Sequence, residues 1–461
     1  DPFLDCLGLR ECELDSILCK SLAEGLRNMN NASLSQLDLS NNLIGHKGAM
    51  ALASALAVSH KTLKSLKLRF NEIGAEGLAA LANGLVGNHK CPESLDLGWN
   101  GIRDEEAMAL GNVFAKNHIS SPKFLDLRYN RIGSRGLVVL VKNLKSMKFL
   151  NLSDNNFGYD GAVALGVVFT RNHEESIEVL DVTRNRIGSK GAVAFANMLS
   201  GSHKAFEQLR LVCNNIGNEG AMAIAKALSG NRFLKSLGLD ENGIWDAGAT
   251  ALAGAVAENE CLECLGLFSN SVGVTGARAL GDALTKNQFL RELDLSRNQI
   301  KDEGALAIAN ALQHNRSLTR LNLARNGIGD SGAVGLAEML QSNSVLRFLF
   351  LMGNMNMTEK GREALCCAVQ HNHALESLGL PNYLPYWPWY EENMNFFTSC
   401  NSLRLWDVDE NAMIPWHRVL HVLLNGRHVN CYGVEVVESF GLSVAFVMLQ
   451  NRPEIVMRRA H

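Results

Sequence analysis

The chain has 461 residues, 47% of them hydrophobic and 20% charged, with a formal net charge of −3. This composition excludes wholesale disorder, and the interspersed charge signs offer no Lys/Arg cluster for nucleic acid. No run approaches the length of a membrane-spanning helix, and the N-terminus lacks the basic and apolar regions of a signal peptide.

In chain order, the first unit is "LDCLGLRECEL" (4–14), with Cys12 where later units carry Asn. From "LDLSNNLIG" at Leu37 onward the pattern L-x-x-L-x-L-x-x-N-x-I-G recurs. Its Asn falls at Asn42, Asn71, Asn100, Asn130, Asn155, Asn185, Asn214, Asn242, Asn270, Asn298, Asn326 and Asn354. The spacings are 28 to 30 residues, apart from 25 between Asn130 and Asn155. "LESLGLPNYL" (375–384) is a last unit with Tyr383 in the Asn place, which makes about fourteen units over residues 1–380.

Each unit predicts a strand, a turn and a helix. Leu37-Asp38-Leu39 alternates as a strand does, and "GAMALASALAVS" (48–59) carries Ala and Leu at helical spacing. Four places after the Asn stand residues suited to capping the helix, among them Asp104, Ser134, Ser189, Asn218, Asp246, Asp302 and Asp330. A Gly two places further on, such as Gly48, Gly77 or Gly136, is expected to let helix and strand approach. Strand–helix–strand at this spacing predicts parallel strands with right-handed crossovers, and units that bury their apolar faces only by stacking.

This pattern resembles the ribonuclease-inhibitor-like class of leucine-rich repeats, which includes the repeat regions of NOD-like receptors and of Ran GTPase-activating proteins. The resemblance covers residues 3–380. It implies an α/β solenoid, a horseshoe with a parallel sheet on the concave face and helices on the convex face, whose Asn side chains bond backbone groups of adjoining turns.

Several features read as structure. His60, His89, His118, His173 and His203 share a place with Asn231, Asn259, Asn287, Asn315, Asn343 and Asn372, so a left-handed helix C-cap explains them better than a metal ladder. "CLEC" (261–264) lacks the second pair a zinc site needs. Cys366 and Cys367 read as core or near-core, and the Asp column (Asp38, Asp96, Asp126, Asp181, Asp294) as a solvated position between leucines. No catalytic set, nucleotide motif, cofactor site, metal site or small-molecule site can be assembled, so no enzyme is expected. Eleven scattered cysteines favour a reducing, cytoplasmic compartment.

Function is then expected where the units differ. The two places before the Asn hold Phe70, Trp99 and Tyr129 in consecutive units, beside Arg69 and Arg128, with Gly98 between the arginines. Trp, Tyr and Arg dominate binding hot spots, so a partner-binding patch is expected at Arg69, Phe70, Trp99, Arg128 and Tyr129, rimmed by Asp96, Asp126 and Arg184. One aromatic per unit could instead only cover its neighbour. Phe348, Phe350 and Met352 should point out of the core as a second hydrophobic patch.

After Leu380 the composition turns rich in proline and aromatics. Residues 381–461 are expected to be mostly helical, forming a cap for the array or a docking segment. The chain enters a repeat at once, which leads to the expectation of more protein upstream. The sequence thus favours a scaffold or sensor domain that binds a protein partner on its concave surface, without nucleic acid or membrane. The alternative is GTPase activation of the Ran-activator type, for which Arg103 and Arg131 are candidate loop arginines.

Overall fold

The structure, a computed structural model, describes residues 5–380 apart from 29–33, 60–62, 88–90, 116–120, 146, 172–176 and 202–205, and beyond them two short strands. Fourteen three-residue strands, from Cys6–Gly8 to Ser377–Gly379, alternate with thirteen helices and form one sheet in sequence order. The register is one-to-one: Lys67 lies beside Asp96, Asp96 beside Asp126, and Asp126 beside Asn151, all in parallel pairing. This is the expected α/β solenoid. Strands sit about 4.8 Å apart while packed helices need about 8–10 Å, so such a layer pair curves with the sheet inside.

The core lies between the two layers. In the fourth unit Leu95, Leu97 and Ile102 are buried from the strand side, and Ala107, Leu110, Val113 and Phe114 from the helix Asp104–Phe114. The asparagines bind the units together. Asn100 Nδ2 donates to the carbonyls of Leu68, Leu97 and Gly98 at 2.9, 3.2 and 3.0 Å. Its Oδ1 accepts the backbone N–H groups of Asn71 and Ile73 at 3.2 and 3.3 Å.

A second asparagine column stands at the helix C-termini, and here the left-handed reading fails. Asn231, Asn259, Asn287, Asn343 and Asn372 are extended, with Asn259 at φ −82° and ψ 130°. Their side chains work between units instead: Asn259 Nδ2 donates to Leu228 and Asn231 carbonyls, and its Oδ1 accepts from Cys261 and Leu262. The histidines at this place lie outside the described residues.

The capping residues also act between units. Asp104 is the first residue of its helix, not its cap, and its Oδ1 accepts Gly133 and Gly136 N–H, at 2.7 and 2.9 Å, at the start of the next helix. Asp246 and Asp302 do the same for Gly273 and Gly276, and for Gly329 and Gly332. At Gly136 this contact requires glycine, since a Cβ there would stand 2.6 Å from Asp104 Cα; at Gly191 and Gly304 it would instead meet Ile187 and Ile300 just past the strand of the same unit, at 2.4 and 2.6 Å.

Glu106 stands in that glycine place and makes a cap of its own. The preceding unit has Ala75 in the place that Asp104, Asp246 and Asp302 hold in theirs, so no side chain there reaches the next helix as theirs do. Glu106 Oε2 accepts the Arg103 N–H of its own helix at 2.7 Å. Glu106→Ala should therefore cost about 1 kcal/mol in urea unfolding, while Glu105→Ala, exposed one residue earlier, should cost close to nothing.

In the C-terminal region the described elements are the strands Arg427–Val429 and Glu435–Val437, paired antiparallel. The expected helices there lie outside the described residues. No described helix is long and apolar enough to cross a membrane.

Candidate functional site

The residue before each ladder Asn sits in a left-handed turn just past its strand. From Asn41 to Arg325 these eleven residues have φ between +52° and +57°, and Gly353 has φ +72°. The backbone there suits Gly or Asn, and costs other residues about 1–2 kcal/mol each. Phe70, Trp99 and Tyr129 accept that cost in three consecutive units. They therefore line the C-terminal ends of the strands rather than the strand face proper.

The three rings form a row. Trp99 and Tyr129 stack with centroids 4.1 Å apart and planes at 17°; Phe70 and Trp99 are 5.7 Å apart at 55°. Phe70 is 51% exposed, Trp99 38% and Tyr129 36%. Trp99 is thus covered on one face by Tyr129 of the next unit, and the row presents its edges to solvent. Stacking contributes about 0.5–1.5 kcal/mol per pair, comparable to the backbone strain, so stability alone does not account for the choice of aromatics.

The row continues as a polar chain. Tyr129 and Arg184 both lie near enough to Asp154 to favour its ionised form, Arg184 at 3.7 Å. The Cys213 thiol donates to Glu241 at 3.0 Å. Burial raises the Asp154 carboxyl above its ordinary value despite Arg184 and Tyr129. The left-handed positions thus pair along the array: Phe70, Trp99 and Tyr129 as rings, Asp154 with Arg184, and Cys213 with Glu241.

Beneath the row, Gly98 leaves room for Arg128, whose Cγ and carbonyl would each stand 3.3 Å from a Cβ there. Arg128 Nε lies 3.0 Å from Asp126 Oδ2, an ion pair without the alignment of a hydrogen bond, while Asp126 Oδ1 accepts the Arg128 N–H. The Asp column is not uniformly solvated. The side chains of Asp126 and Asp181 are 13% and 11% exposed, because long arginine side chains, Arg128 and Arg210, lie against them. Asp96 holds the Gly98 N–H at 3.0 Å. Arg69 is half-buried and lies near enough to favour ionised Asp126. Thus the sheet edge gathers Arg69, Phe70, Asp96, Trp99, Asp126, Arg128 and Tyr129, with Arg184 two units further along.

Burial, then the neighbouring Asp96, pushes Asp126 up to about 6, against the pull of Arg128. A carboxyl harder to ionise in the fold than in the unfolded chain weakens the fold above its folded value. That cost fades as pH falls from about 6 towards about 4, since the folded protein takes up the proton first. Asp126→Asn should therefore raise stability by about 1–2 kcal/mol near pH 7.5 and change it little near pH 4.5. Urea unfolding at both pH values checks this; a loss near pH 7.5 would mean that the Arg128 pair outweighs burial.

The second patch is less open than expected. Phe348 and Phe350 are half-buried on the strand Phe348–Phe350, as is Met352 beyond it. The Arg320 guanidinium lies 4.5 Å over the Phe348 ring. Phe350 and Met352 lean over Gly379, where a Cβ would stand 3.2 and 3.3 Å from them. Cys366 and Cys367 are exposed on the helix Glu359–His371, not core. Arg103 and Arg131 are exposed and lie outside the aromatic row. No cluster of metal-ligating side chains occurs among the described residues.

A leucine rich repeat family model matches ten segments: 30–53, 59–82, 93–111, 123–141, 143–166, 173–196, 206–225, 230–253, 286–309 and 314–337. The chain is a leucine-rich repeat protein. Such repeats generally mediate protein–protein interaction. No curated protein matches it. Among solved structures, one described as leiomodin-1 actin-binding site 2 is 20% identical over 40% of this chain and 88% of its own, with a TM-score of 0.26. The tropomodulin C-terminal domain of Caenorhabditis elegans is 14% identical over 40% of this chain and 93% of its own, with a TM-score of 0.28. At these values the likeness says nothing about what this repeat protein binds.

Proposed function

We propose that the array is a recognition module, a scaffold or sensor domain, whose protein partner docks on the row Phe70–Trp99–Tyr129 and the polar groups around it. The observation that carries this reading is the row itself: three exposed, mutually contacting aromatics at backbone positions that suit small or polar residues. Large rings held in place lose little freedom on binding, and truncating such anchors is what interfaces feel most. Arg128 and Arg184 are tethered by Asp126 and Asp154, so their guanidinium groups are pre-positioned beside the rings.

The test is a pull-down from the source organism with wild type, Trp99→Ala and Arg128→Ala as baits. A partner retained by wild type and lost or strongly depleted with both variants is expected. Equal capture by all three, with unfolding midpoints unchanged, would sink the proposal.

A further inference from the structure

We propose that the segment recognised by the row is an amphipathic α-helix laid across the strands, one helical turn to each repeat. This rests on the recognition reading above and adds the shape and chemistry of the partner. The ring-to-ring steps along the row are 5.7 and 4.1 Å, and the underlying strands step by about 4.8 Å. An α-helix advances about 5.4 Å per turn, so over two steps it slips from the strands by only about 1.2 Å. An extended chain advances about 6.7 Å per pair of residues and slips by about 3.8 Å over the same span. A helix therefore keeps apolar side chains at i, i+4 and i+7 against Phe70, Trp99 and Tyr129, and a strand does not.

A polyproline segment is disfavoured by the ring geometry. Proline is gripped between separated aromatic faces, and Trp99 and Tyr129 are stacked at 4.1 Å with planes at 17°, leaving no slot. What the row offers is a line of ring edges, which the flank of a helix covers.

Charge fixes the rest of the pattern. Beyond Tyr129 the next two places are Asp154 and Arg184, whose side chains are 19% and 53% exposed. The cation is what a partner meets there. Continuing at one turn per repeat, Arg184 falls opposite i+14, so that place takes a carboxylate. The partner segment is a helix with apolar residues at i, i+4 and i+7 and an acidic residue at i+14.

The experiment is selection from displayed twenty-residue peptides against the full chain, with three pools: helix-forming, alternating apolar/polar, and proline-rich. Each pool is counter-selected on Trp99→Asn, and binders are resynthesised and titrated. Helical binders with the stated spacing are expected, gaining helical circular dichroism on binding. They should weaken at least about tenfold with Trp99→Asn or Tyr129→Asn and about threefold or more with Arg184→Ala. Trp99-dependent binders confined to the alternating or proline-rich pools would overturn the helix while leaving the row as a recognition site. The absence of any Trp99-dependent binder would overturn both. Thermal unfolding of each variant confirms that the array is intact.

Discussion

Asn100→Ala should lower the stability of the array by about 3–5 kcal/mol, as much as truncating a buried leucine or phenylalanine of the fourth unit. The side chain is 3% exposed and serves five backbone groups. Its removal leaves the N–H groups of Asn71 and Ile73 without a partner where water does not reach, while the carbonyls of Leu68, Leu97 and Gly98 each lose one donor and keep Asn71 Nδ2, Asn130 Nδ2 and the Phe70 N–H. A buried group left unsatisfied costs about 1–3 kcal/mol, and partial relaxation keeps the total below the sum. Repeat arrays are held together by neighbour contacts, so the loss should also weaken the junction between the third and fourth units. Urea unfolding should show a lower midpoint and a broadened or divided transition. A single unshifted transition would mean that the asparagine column is not what couples the units.

Trp99→Asn should do the reverse: leave stability within about 1 kcal/mol of wild type and lower partner affinity by about 30-fold or more. Asn is the residue that stands at the equivalent place of the second unit, Asn41, with φ +57° against +56° at Trp99. It fits the left-handed turn better than Trp, which offsets the stacking lost against Tyr129. The binding term has no such compensation. Calorimetric titration of the partner against both proteins, beside their thermal unfolding, separates the two effects. A large loss of stability with unchanged affinity would make the row a structural stack.

The architecture was legible in the sequence because each unit repeats it. Leucine, asparagine and glycine columns recur at a fixed period, and any one unit can be checked against the others. The capping was misread because its partners are about thirty residues apart: nothing local to Asp104 says that it serves Gly133 and Gly136. The left-handed turn was hidden for a similar reason. A run of twelve places containing Phe, Trp, Tyr, Arg and Glu, with one glycine and one asparagine, does not read as positive φ. The stacked shell of the array imposes that backbone whatever residue occupies it.

The aromatic row itself was visible as a column of three adjacent units, with the neighbouring arginines. Its stacking, its position past the strand ends and its continuation through Asp154, Arg184 and Cys213 were not. These depend on side-chain directions set by the turn. The second patch was over-read: alternation correctly turned Phe348 and Phe350 off the core side, but Arg320 over Phe348 and the lean of Phe350 onto Gly379 cover much of them.

Trp245 supplies an internal control for the central claim. It is more exposed than Trp99, 61% against 38%, yet it stands alone at the start of the helix Asp246–Glu258, away from the row. The decisive measurement is the indole N–H spectrum of the 15N-labelled chain during titration with the isolated partner, assigned by single substitutions. The Trp99 signal should shift or broaden with the bound fraction while Trp245 stays in place. A shift of Trp245 with Trp99 unmoved would contradict recognition at the aromatic row.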